Sequence, residues 1–247
     1  MDQTPENWQD RTQLLLGDEN VMRLNRASVL VVGIGGVGAY AAEMLCRAGV
    51  GEMTIVDADA VSVTNLNRQL PALHSTIGKS KVEVMKERLL DINPNLKLHC
   101  VEMFVRDEKT AELLESADFD YVVDAIDSLS PKVYLIYQAL QHNLRIVSAM
   151  GAGGKMDPCK VQVADIAKST HCHLAKTVRK RLYRLGVRGG FSVVYSTENV
   201  PDEAIVIDKD ESINKLSTVG TISYMPAIFG CIVASVVIRE LCGMPLQ

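Results

Sequence analysis

Residues 57 to 81, DADAVSVTNLNRQLPALHSTIGKSK, set two acids, an amide, a guanidinium and an amine along one short stretch: Asp57, Asp59, Asn65, Arg68 and Lys81. A carboxylate at the end of a strand, where Asp57 falls, can accept hydrogen bonds from ribose hydroxyls. Arg68 can make forked contacts with phosphate oxygens, and Lys81 supplies a point charge. Upstream, VLVVGIGGVGAYAAEML (29 to 45) passes from an apolar β-branched run through Gly33, Gly35, Gly36 and Gly38 into a helical pattern. Gly33, Gly35 and Gly38 fit G-x-G-x-x-G, a turn that lets backbone approach phosphate at a helix N-terminus. The turn alone suits a dinucleotide cofactor as well as ATP. The cations downstream favour ATP, because a hydride-transfer enzyme needs a nicotinamide pocket and a proton-transfer residue but not this set.

A third group, DAIDS, places Asp124 and Asp127 just beyond an apolar run. One of the two can cap the following turn or helix, and Asp127 is assigned to Mg²⁺ or the α-phosphate, since Mg²⁺ takes carboxylate and phosphate oxygens.

These residues need a scaffold of alternating elements. Apolar runs predict strands at 29–32, 53–56, 96–101, 121–124 and 145–148, with helices near 37–48, 79–91, 108–116 and 131–142 between them. Such alternation implies an α/β fold: a Rossmann-like, doubly wound, mostly parallel sheet covered on both faces. The nucleotide site belongs at the carboxyl ends of its strands. After GAGGKMDP (151–158) the pattern changes, and strands around 161–166 and 191–196 flank a basic helix. We expect one domain over 1–247, with an ATP-binding core at 1–150 and substrate and dimer elements at 151–247.

The 247 residues, 47% of them hydrophobic, can bury a substantial core. Six scattered cysteines, none in CxxC spacing, and no cleavable apolar leader read as reduced thiols in a cytoplasmic-type compartment. A net charge of -4 argues against a uniformly basic nucleic-acid binder and leaves room for a local basic face. TVGTISYMPAIFGCIVASVVI (218–238) carries no charge and approaches the length of a bilayer span. Its strongly apolar part, 227–238, would be only about 18 Å long. We read it as a core or interface helix in preference to a membrane anchor.

With GIGGVG, DADAVSVTNLNRQ, GKSK and DAIDS in this order, the chain resembles the E1-like superfamily of ATP-dependent adenylating proteins. The resemblance implies ribose binding by Asp57, an ATP-phosphate and adenylation set of Asp59, Asn65, Arg68 and Lys81, and a metal-linked acid at Asp127. It implies ATP and Mg²⁺ as cofactors, with a Na⁺ or K⁺ ion as a further candidate. Absence of CxxC pairs sets the chain apart from the zinc-bearing molybdopterin and thiamin branches, and its length from the conjugating enzymes. The second half, with RTQLLLG at 11–17, resembles the branch of tRNA threonylcarbamoyladenosine dehydratases. That branch activates the threonine carboxylate of the modified adenosine at tRNA position 37, then closes a ring with net loss of water. HLA (173–175) stands where many relatives read PLA, a departure that touches tRNA fit and not the ATP set. The alternative within the superfamily is adenylation of a ubiquitin-like or sulfur-carrier protein, with a cysteine desulfurase or sulfur-acceptor system as partner.

Between Asp165 and Glu198 there is no acid, while Lys168, Lys176, Arg179, Lys180, Arg181, Arg184 and Arg188 cluster there. Lys176, Lys180 and Arg184 step by four along one helical stripe. We expect Lys176, Arg179, Lys180, Arg181 and Arg184 to contact tRNA phosphates. His171, Cys172 and His173 lack a second ligand pair at zinc spacing and read as structural or substrate-lining, with a Cys172 thioester as the rival mechanism. Related adenylating dimers bring an N-terminal arginine across to the partner's ATP, so the resemblance implies a homodimer with Arg11 acting catalytically in trans.

Overall fold

The computed structural model describes residues 7–106, 108–207 and 217–246. Its elements run α1 (Asp10–Leu16), α2 (Asp18–Arg26), β1 (Ser28–Val32), α3 (Gly38–Ala48), β2 (Glu52–Val56) and α4 (Lys81–Ile92). They continue with β3 (Lys97–Val101), α5 (Glu108–Glu115), β4 (Tyr121–Asp124), α6 (Leu129–Gln141), β5 (Ile146–Ala149) and β6 (Val161–Asp165). The last are α7 (His173–Arg184), β7 (Ser192–Ser196), β8 (Ile205–Ile207), β9 (Ser217–Val219) and α8 (Tyr224–Leu241).

Seven strands form one sheet in the order β3-β2-β1-β4-β5-β7-β6, parallel throughout except for β6 against β7. β1 (SVLVV) is buried along its whole length, as a central parallel strand must be when helices cover both faces. One apolar core joins α3, α4 and α8 to one face; the other joins α5, α6 and α7 to the opposite face. The chain leaves β1 toward β2 on one side and returns to β4 on the other. The crevice at this reversal is where α/β proteins bind nucleotides. All seven expected strands are present within a residue or two. α6 begins earlier than expected, at Leu129, because Ser128 takes the N-cap and Pro131 falls in the first turn, where its missing N–H is no loss.

The apolar C-terminal segment is a helix from Tyr224, not from residue 227, so its 18 residues extend to about 27 Å. By length and composition it could cross a membrane, yet it buries Met225, Pro226, Phe229, Gly230, Val233, Ala234, Val236 and Val237 within the protein. It crosses α3 closely: a Cβ on Gly230 would lie 2.5 Å from the Val37 carbonyl. Phe229 is wholly buried, a burial worth about 2 to 3 kcal/mol. α1, α2 and the β8–β9 ribbon were not foreseen. α1 buries none of its residues, and α2 buries only Val21 and Leu24.

Candidate nucleotide and substrate site

The glycine turn sits at the sheet's reversal point. Gly33 continues the ladder by donating its N–H to the Val56 carbonyl at 2.8 Å, then turns with φ +92°. A Cβ there would meet the Ala125 carbonyl at 2.8 Å, and one on Gly38 would lie 1.7 Å from the Gly33 carbonyl. No larger residue fits either place, because strand exit and helix entry touch through bare backbone. The N-cap of α3, Val37, supplies no side-chain cap, so the helix offers its first N–H groups and positive dipole end to an anion.

Asp57 follows β2 on the neighbouring strand. Its Oδ2 accepts the Ile34 N–H from the glycine turn at 2.7 Å, and its Oδ1 accepts the Asp59 N–H at 2.8 Å. Burial raises its carboxyl above the ordinary 3.8, against the lowering effect of Lys81 and the two N–H donors. Lys81 opens α4 almost wholly buried, with Nζ 2.7 Å from Asp59 Oδ2 and 3.8 Å from Asp57 Oδ1. The backbone bridge between Ala60 and Ser80 draws the two ends of the segment together.

Asn65 is buried and spends its Oδ1 on the Ser62 N–H at 3.1 Å, closing the 3₁₀ turn that carries Arg68. Arg68 donates from Nη1 to the Thr64 carbonyl and to Asn67 Oδ1, both at 2.9 Å. Its own carbonyl lies 3.6 Å from where a Gly36 Cβ would be, so the arginine segment packs on the glycine turn. Gln69, to which the sequence assigned no role, stands beside Gly35, and its buried Oε1 has no hydrogen-bond partner among the described residues. A buried acceptor left open asks for a donor such as a ligand hydroxyl or water. Together with the cradle that a Cβ would fill, this fits a bound nucleotide.

The two acids of DAIDS differ sharply. Asp124 is fully buried and paired with Lys132 at 2.7 Å, while its Oδ1 accepts the Ile126 N–H at 3.1 Å. It therefore caps the turn from inside the core. Asp127 is exposed, with the Ser128 hydroxyl 3.3 Å from its Oδ1. No group of three or more His, Cys, Asp or Glu side chains among the described residues could hold a metal ion. Lys132 also escaped sequence reasoning; a lysine amid SPKVYLIYQ reads as a helix surface position unless its acid partner is known.

On α7, Lys176, Lys180, Arg181 and Arg184 are exposed. Arg179 departs from the expected phosphate role: half-buried, its Nη1 donates to the Ile166 and Ser169 carbonyls at 3.2 and 2.8 Å and to Ser169 Oγ at 2.6 Å. It fastens the helix to the preceding loop because its side chain turns inward, off the stripe of Lys176, Lys180 and Arg184. Arg181 donates to Ser130 Oγ at 2.8 Å, three residues past Asp127, so the basic helix adjoins the nucleotide turn. Cys172 is buried and its Sγ accepts the Ala175 N–H at 3.4 Å, capping α7. His171 and His173 are exposed.

Arg11 is exposed on α1. Gln9, two residues earlier, packs at Gly49 beyond the C-terminal end of α3, while the glycine turn lies at the N-terminal end. Within one chain the fold does not bring Arg11 to the other candidate residues.

A phosphate cradle at the reversal point of a doubly wound sheet, with an acid on the next strand, defines a nucleotide-binding α/β protein. The ThiF family pattern matches residues 9–247, and the chain belongs to the ThiF family. It is 42% identical over 200 residues to the tRNA threonylcarbamoyladenosine dehydratase of Bacillus subtilis, covering 81% of this chain and 77% of that one. The Haemophilus influenzae protein of the same name is 36% identical over 232 residues, covering 90% and 88%. The crystal structure of Escherichia coli tRNA N6-threonylcarbamoyladenosine dehydratase in complex with ATP superposes with a TM-score of 0.86 at 36% identity, covering 96% of each chain.

Proposed function

We propose that this protein uses ATP to activate the threonine carboxylate of N6-threonylcarbamoyladenosine at position 37 of tRNA. A carboxylate oxygen attacks the α-phosphorus, pyrophosphate leaves, and the resulting mixed anhydride is a far better acyl donor than the free acid. The carbamoyl group then attacks the activated carbonyl, loses a proton and expels AMP, so that the side chain closes with net loss of water. The chemistry asks mainly that two anions be held together, which cations and helix N–H groups accomplish.

In this reading the N–H groups at the start of α3, with Gly33, Gly35, Gly36 and Gly38, take the phosphates. Asp57 takes the ribose hydroxyls. Arg68 and Lys81 neutralise the phosphates, Asp59 places Lys81, and Asn65 holds the turn that carries Arg68. Mg²⁺ would be held by Asp127 and would neutralise charge on the phosphate oxygens. Lys176, Lys180, Arg181 and Arg184 meet tRNA phosphates. The chain acts as a single domain with its nucleotide core in 1–150 and its tRNA and dimer elements in 151–247. A homodimer would bring Arg11 to the partner's site; the exposed Leu14 and Leu15 on the same helix favour such burial. A monovalent cation and a sulfur-acceptor partner stay outside this reading.

The observation that carries it is the Arg181–Ser130 hydrogen bond, which joins the basic helix to the first turn of α6, three residues past Asp127. Incubation with ATP, Mg²⁺ and tRNA bearing the threonylcarbamoyl group is expected to give AMP and a tRNA lighter by one water on mass analysis. AMP without that product would instead favour a protein carboxylate as substrate. The Cys172→Ala variant is expected to keep full activity, in line with a thiol buried as a helix cap; its loss would favour the thioester route.

A further inference from the structure

Among the described residues, solvent is wholly excluded from one lysine and one aspartate, Lys132 and Asp124. Each proton of the Lys132 ammonium has a partner: Asp124 Oδ2 at 2.7 Å, Ser148 Oγ at 3.1 Å and the Ala149 carbonyl at 2.9 Å. Ser148 completes the set by donating to Asp124 Oδ2 at 2.5 Å. A buried ion pair is a poor way to stabilise a core, because desolvating both charges consumes most of what their attraction returns. What such a pair does well is fix geometry, since every donor and acceptor is satisfied in one arrangement only.

Three segments meet at this ammonium. Asp124 ends β4 and holds the turn that follows through the Ile126 N–H. That turn is pinned from the other side by the Ala125 N–H on the Val32 carbonyl, at 2.9 Å, and by the Ala125 carbonyl lying against Gly33. Asp127 is the next residue but one. Ala149 ends β5, and the chain then runs through Gly151, which packs toward Leu174 of α7. Lys132 itself lies in the first turns of α6, the helix that Arg181 reaches through Ser130.

We propose that Lys132 and Asp124 are positioning residues that hold the Asp127 turn in register with the glycine cradle and tie it to the β5 exit beside the basic helix. The inference rests on the reading of Asp127 as the acid that meets Mg²⁺ and the α-phosphate.

The test measures binding of ATP with Mg²⁺ by calorimetry, and amide hydrogen exchange of residues 125–128, in the full chain. Lys132→Met alone leaves a buried carboxylate uncompensated and is expected to lower Tm. Asp124→Asn with Lys132→Met removes both charges, keeps an acceptor for the Ile126 N–H, and is expected to recover most of that Tm. If the pair positions the turn, this double variant still binds ATP with Mg²⁺ at least tenfold more weakly and exchanges the 125–128 amides at least tenfold faster. Wild-type affinity and exchange in the double variant overturn the proposal. Ser148→Ala, which keeps both charges, carries the same expectation at about threefold, and unchanged affinity there also counts against the proposal. Failure of the wild-type chain to bind ATP with Mg²⁺ is a separate outcome that removes the reading of the site itself.

Discussion

The ammonium of Lys81 stands 2.7 Å from Asp59 and 3.8 Å from Asp57, with its side chain only 5% exposed. One cation thus holds two acids of the same short segment beyond β2. Replacing it with Met leaves Asp57 buried without its compensating charge. Lys81→Met is expected to weaken ATP binding at least a hundredfold by calorimetry and to cost about 2 kcal/mol of stability. Lys81→Arg is expected not to restore affinity, because a planar fork does not fit where a compact ammonium is enclosed.

Asp57 supplies the pH dependence. Burial raises its carboxyl above 3.8, so the folded chain holds that proton to higher pH than the unfolded chain does. The folded state binds more protons in that window, and stability contributed there declines as pH rises through the raised value. Asp57→Asn removes the titration. Its Tm relative to wild type is expected to shift upward as pH rises above the ordinary 3.8 of the carboxyl, while ATP affinity is lost at every pH. A difference in Tm that is flat with pH would contradict the assignment.

The exposed cations of α7 and the inward-turned Arg179 separate two roles on one helix. Lys180→Glu with Arg184→Glu is expected to weaken binding to tRNA and to flatten the slope of log affinity against log salt by roughly one for each phosphate no longer neutralised. Arg179→Ala is expected instead to lower Tm, by removing hydrogen bonds to Ile166 and Ser169, with a salt slope close to wild type. Filter binding across a salt series checks both.

If Arg11 completes the partner's site, two inactive chains can repair one another. A mixture of Arg11→Ala and Asp127→Ala chains, refolded together, is expected to recover up to one working site per mixed dimer, read as AMP formation. Absence of recovery in a mixture shown to contain mixed dimers would place Arg11 outside the catalytic set.

Much of the scaffold was legible because it is local. A buried apolar run followed by glycines and a helical period specifies strand, turn and helix with little help from the rest of the chain, and Tyr121–Asp124 was expected residue for residue. The acid on the second strand could be located the same way, since its place is set by the strand end. The segment at 218–238 was harder. Its apolar content suits a core helix and a membrane span alike, and only its packing on α3 shows how much of it the protein itself covers.

Side-chain roles were less legible where they depend on partners far along the chain. Arg179 and Arg184 are indistinguishable in composition, yet one is drawn inward by carbonyls at 166 and 169 and the other faces water. Asp124 and Asp127 are three residues apart, yet one is sealed against a lysine on α6 and the other is exposed.

By itself the sequence determined the alternation of strands and helices, the glycine cradle, and the order of acids and cations around it, because each follows from period, turn chemistry and charge along a short span. Tertiary structure alone decided that Lys132 neutralises Asp124, that Gln69 keeps an open acceptor beside Gly35, and that the basic helix reaches the first turn of α6 through Ser130. Those relationships join residues from different elements, and only the packing of helices and loops on the sheet brings them together.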